Sequence, residues 1–137
     1  MIKIDKKRAL LLHKRISVLT GGDPSVRDEA LLESALESAY QTFSGDELYP
    51  TLEEKGARIG YSLIANHAFT DGNKRIGMLA LMTFLAVNGA PITPAVSEVA
   101  RVGLAVASGR MDYGALLAWV KKNRTHELSS SCTNYKK

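Results

Sequence analysis

Apolar residues recur along this chain at intervals of three and four, interrupted by glycine, proline and aspartate, and period-two alternation is scarce. The pattern predicts an all-α protein. Asp5 is an N-cap residue, and Ala9, Leu12, Ile16 and Leu19 share one face of a first helix that stops at Gly21-Gly22. His13 sits beside that stripe and reads as a packing or surface residue. A second helix opens after Asp23-Pro24, near Arg27 or Asp28. It carries Leu32, Ala35, Leu36, Ala39 and Phe43 and ends at Ser44-Gly45-Asp46.

Thr51 followed by Glu54 is a capping box, so a third helix starts there, with Leu52, Gly56, Ile59, Gly60, Leu63 and His67 on its inner face. Each interior glycine costs a helix roughly 1 kcal/mol relative to alanine, which predicts close approach of another backbone and a central place for this helix. His67 is expected at the helix end, facing the same interior as Leu63. A fourth helix starts at about Gly72 or Asn73 and stops at Asn88-Gly89-Ala90-Pro91. It is apolar nearly all round, hence buried, with its methionines as core filler. Thr93-Pro94 begins a fifth, bearing Val96, Val99, Ala100, Leu104 and Ala107, and Asp112 caps a sixth with Leu116, Leu117 and Val120. From about Thr125 the pattern fades into a Ser- and Lys-rich tail, so the expected organisation is one domain over 1–124 and a disordered tail over 125–137.

Composition narrows the function classes. A chain of 137 residues, 45% hydrophobic and 23% charged, can bury one core, and no apolar run is long enough to span a bilayer. No signal-peptide pattern follows Met1, so a cytoplasmic location is expected. The one cysteine, Cys132, has no second thiol, which argues against a disulfide framework, a thiolate metal site and redox chemistry. The net charge of +4 favours an acidic partner such as a nucleotide or nucleic acid. Its cations are not interleaved with aromatic residues, and no zinc-finger or P-loop spacing occurs.

The chemistry concentrates in His67-Ala68-Phe69-Thr70-Asp71-Gly72-Asn73-Lys74-Arg75, the link between the third and fourth helices. The first amides of a helix lack intrahelical partners and sit at the positive end of its dipole, so Gly72, Asn73 and Lys74 present N–H groups to an anion. Lys74 and Arg75 add full charges, and the arginine can grip two phosphate oxygens. Asp71, among these cations, suits Mg²⁺ shared with a substrate phosphate, or an N-cap, or both. His67, four residues earlier, can take a proton from a hydroxyl as general base. Phe69 anchors the loop in the core.

This run resembles the signature of the Fic/Doc superfamily, and specifically its death-on-curing (Doc) branch. The stretches Leu19–Leu36, Leu48-Tyr49-Pro50, Tyr61–Ile64 and Phe84–Gly89 are similar to that branch too, so the resemblance covers roughly residues 1–124. It implies a compact Fic fold of about six to seven helices around a buried central helix, with a flap at about Phe43 to Thr51 that positions the target. Adenylylating members have glycine where this chain has Lys74, and an arginine where it has Met78. In the Doc branch these departures go with transfer of the ATP γ-phosphate to a protein hydroxyl, the family target being a threonine of elongation factor Tu, with arrest of translation. The implied roles are His67 as base, Asp71 as Mg²⁺ ligand, and Gly72, Asn73, Lys74 and Arg75 as phosphate cradle.

Self-inhibited Fic proteins carry a Ser or Thr, three residues, Glu, then Gly or Asn. Ser25–Glu29 begins that pattern, but Ala30 follows, so an external antitoxin, Phd-like or other, is the expected restraint. Its footprint would be an exposed apolar groove, and contact with DNA would come only through it. Two alternatives stay open: AMP transfer by the same fold, and a non-catalytic module that helps an antitoxin repress its operon.

Overall fold

The computed structural model of the chain describes residues 1–124. Six helices form: α1 (Lys6–Thr20), α2 (Glu29–Glu37), α3 (Leu52–Asn66), α4 (Asn73–Val87), α5 (Val96–Ala107) and α6 (Tyr113–Lys122). A 3-10 turn, Ser38–Tyr40, and a hairpin of β1 (Thr42–Phe43) and β2 (Asp46–Glu47) lie between α2 and α3. Aspartate caps start three helices: Asp5, Asp28 and Asp112 each accept from the amide three residues on. Thr51 and Glu54 close the expected capping box. The all-α fold is therefore as expected; the tail and Cys132 fall outside the described residues.

The core is built on α3 and α4, whose mutual interface is the largest in the fold. A Cβ on Gly60 would lie 3.2 Å from the Gly77 carbonyl, and one on Gly77 would lie 3.0 Å from the Gly60 carbonyl, so the two backbones cross in contact there. Gly56 instead receives the Leu85 side chain. Helices α2 and α6 pack on α3, while α1 and α5 flank α4.

Four expectations are corrected. On α1 the buried line is Ala9, His13 and Ser17, while Leu19 is 86% exposed. That helix is apolar on several sides, so its buried face is chosen by what it lies on. Helix α2 ends at Glu37, and Phe43, expected on its inner stripe, stands exposed on β1 instead. On α5 the buried residues are Val102, Gly103 and Val106, because Gly103 lets the helix settle against Met78 and the Lys74 backbone. Val96, Ala100, Leu104 and Ala107 are exposed. Finally, α4 is not buried all round: Leu79 and Met82 are half-exposed toward α5, though Met78 is core.

Candidate active site

Helix α3 ends because His67 adopts φ 49°, ψ 50°, the left-handed C-cap conformation. Such a conformation costs a non-glycine residue roughly 1–2 kcal/mol and is held by surrounding structure. Here the holder is Arg27, whose guanidinium donates to the His67 carbonyl at 2.7 Å and the Asn66 carbonyl at 3.2 Å, placing a cation at the negative end of α3. The left-handed turn swings His67 away from the Leu63 face, so the imidazole is exposed rather than interior as expected. Its Nδ1 lies 3.3 Å from the Ala65 carbonyl, a contact that suits the Nδ1–H tautomer, in which Nε2 is the acceptor.

The loop that follows is fixed on both sides. Its outer edge pairs with the lead-in to α2: the Arg27 and Asp28 amides donate to the Ala68 carbonyl, and the Thr70 amide to the Ser25 carbonyl. On its inner side Phe69 is 1% exposed, as expected of an anchor. The Asn73 side chain spans the loop, accepting from the Phe69 amide and donating to the Phe69 carbonyl, both at 3.0 Å. Its backbone amide stays available while its side chain serves geometry.

Gly72, with φ 78°, is the N-cap of α4, a position that favours glycine. Asp71 is not the cap; its Oδ1 accepts from the Gly72 amide at 2.8 Å. The first helical bond runs from Ile76 N–H to the Gly72 carbonyl, so the amides of Asn73, Lys74 and Arg75 have no intrahelical partner. Among the described residues neither Lys74 nor Arg75 forms an ion pair, and both are exposed.

These groups surround a cavity of about 250 Å³, lined by His67, by every residue from Thr70 to Arg75, and by Ala107 of α5. The structure thus gathers all six sequence-nominated residues, His67, Asp71, Gly72, Asn73, Lys74 and Arg75, around one space. No cluster of three or more metal-ligating side chains occurs among the described residues. A lone exposed carboxylate beside an anion nest fits Mg²⁺ held jointly with phosphate oxygens, the usual mode for that ion, and does not fit an all-protein metal cage.

A model of the Fic/DOC family matches residues 3–85. The chain belongs to the Fic/DOC family. Toxin Doc of Mycolicibacterium smegmatis is 44% identical over 73 residues, which are 53% of this chain. The match spans 56% of that relative's own length. Within the Fic/DOC fold the loop is also met by Arg27, His13 and Gly22, which reach it from distant segments. The aspartate caps were visible as local patterns; these long-range contacts leave none.

The hairpin is tethered by Lys55, which is buried on α3, with its ammonium 2.6 Å from Glu47 Oε1 on β2 and a second bond to the Tyr49 carbonyl. A second cavity, about 440 Å³, runs between α4 and α5 over Met78, Leu79, Met82, Val96, Val99 and Ala100, and it reaches Lys74 and Arg75 at one end. No helix among the described residues is long and apolar enough to cross a membrane.

Proposed function

We propose that this protein is a Doc-type toxin that transfers the γ-phosphate of ATP to a serine or threonine hydroxyl of a protein, elongation factor Tu by family resemblance, and so arrests translation. The observation that carries the reading is the unpaired Lys74–Arg75 pair at the open N-terminus of α4, with His67 across the same cavity. The three free amides and two cations bind and orient the terminal phosphate. Nε2 of His67 accepts the hydroxyl proton as the oxygen bonds to phosphorus, the β–γ bridging bond breaks, and ADP leaves. Asp71 would hold Mg²⁺, which on binding neutralises phosphate charge. By family resemblance the hairpin is the flap, and its open strand edges suit it to align an extended target segment.

Lys74 and Met78 favour phosphate over AMP transfer, since Met78 is buried and offers no charge for further phosphates. ATP labelled at the γ- or the α-phosphate decides this, with a lysate as acceptor; protein labelled only from the α-position would overturn the kinase reading. His67→Ala is expected to slow labelling about 10²- to 10⁴-fold. Growth arrest undiminished by His67→Ala and Arg75→Ala would make the protein a binding module rather than an enzyme.

The α4–α5 groove suits a helix of an antitoxin, with an apolar stripe over Met82 and Val99 and an acidic residue toward Lys74 and Arg75. Val99→Glu should abolish protection by a co-expressed antitoxin while leaving toxicity intact.

A further inference from the structure

Beneath the signature loop lies a group that the reaction above does not use. His13, in the middle of α1, is 1% exposed, and neither ring nitrogen makes a hydrogen bond of normal geometry, although the Asp23 backbone lies close enough to favour the protonated ring. Its ring stacks on Phe69 with centroids 3.9 Å apart and planes at 37°. Its Cε1 is 3.1 Å from where a Cβ of Gly72 would stand, so the imidazole abuts the residue that follows Asp71.

A space that needed only filling would be better served by an apolar side chain, because a buried N–H without a well-aligned acceptor is destabilising. The nearest ionic groups are Asp71, Arg75 and Asp23, whose charges all act on the ring. Burial nevertheless holds its pKa below the ordinary histidine value, so at neutral pH it offers one N–H and one lone pair. Asp71 spends one oxygen on the Gly72 amide, which precedes the free amides of Asn73, Lys74 and Arg75. An anion that recruits this amide leaves the carboxylate oxygen without its donor.

We propose that His13 is a positioning residue for Asp71, taking up the carboxylate by an imidazole N–H when an anion claims the Gly72 amide. The poorly satisfied ring N–H and the occupied amide are then two halves of one exchange. Carboxylates that bind metals are held by such outer partners. The inference rests on the anion-site reading above.

Isothermal titration of the full chain with ATP tests it. His13→Phe keeps a ring on Phe69 and removes both nitrogens. It should weaken ATP binding in the presence of Mg²⁺ about 10- to 100-fold while leaving ATP binding in excess chelator unchanged, and His13→Asn should recover part of the loss. A purely structural histidine predicts a His13→Phe protein that binds like the parent, and that result overturns the proposal. Should His13→Phe not fold, ring ¹⁵N signals of the parent decide: one nitrogen moves to a hydrogen-bonded N–H on addition of ATP and Mg²⁺, or the proposal fails. A parent that binds no ATP under either condition would instead remove the anion-site reading itself.

Discussion

At Gly22 a single methyl group would stand 2.8 Å from Asp71 Oδ2 and 3.5 Å from Arg75 Nη2. Both neighbours are ends of flexible side chains, so the fold can yield while the site cannot. Gly22→Ala is expected to leave the thermal midpoint nearly unchanged and to weaken ATP binding by about tenfold, the scale of one displaced charge-assisted hydrogen bond; titration calorimetry beside a melting curve separates the two. Nothing in the sequence around Gly21-Gly22 distinguishes this role from that of a helix stop, and Gly21, with φ 78°, does serve as the stop. The loop 67–75 was legible because its groups are consecutive and a helix start aligns their amides. Gly22 and His13 were not, since their meaning depends on how α1 lies over that loop, and an all-round apolar helix does not declare its inner face.

The α3–α4 crossing sets the tolerance of the whole scaffold. A methyl on Gly77 would lie 2.5 Å from Ile64 Cγ1 and 3.0 Å from the Gly60 carbonyl, and a backbone atom cannot step aside cheaply. Gly77→Ala should cost about 1–3 kcal/mol in denaturant unfolding, against little for the exposed Gly45→Ala-type changes of the hairpin tip beyond their φ strain. The hairpin depends on a different element contact. Lys55→Met keeps the buried stem and removes the bonds to Glu47 and Tyr49. Because Glu47 is half-exposed, no buried charge is stranded, and the expected outcome is a raised KM for the protein target with an unchanged KM for ATP. Helix starts were readable from their caps, whereas a hairpin of two-residue strands has no period to read. That is why Phe43 was placed on α2.

For the molecule as a whole, alkaline pH is the informative perturbation. Burial, aided by Glu37, pushes the Tyr40 phenol up to about 12, and burial, aided by Glu54, does the same for Tyr113. An unfolded phenol ionises near 10. Below that value both states keep the proton and stability is flat. Between about 10 and 12 the unfolded chain loses protons that the fold retains, so stability falls as pH rises. Denaturant midpoints taken across this window should drop. Tyr113→Phe, which also gives up the bond to the Glu54 carbonyl, should flatten part of the drop. The overall architecture was largely foreseeable, because three-to-four periodicity and punctuation fix how many helices there are. Which surfaces stay bare was not: the apolar residues of α5 outnumber the places its neighbour offers, and the surplus lines the groove.

Lys74 and Arg75 border both that groove and the anion cavity. Two ligands that read the same two charges cannot bind independently. An acidic occupant of the groove draws down the positive field on which a phosphate depends, and a bound phosphate does the same to the groove, by one shared factor in both directions. On the proposed reading, nucleotide concentration and partner occupancy would be tied together by a pair of adjacent side chains, with no moving part between them.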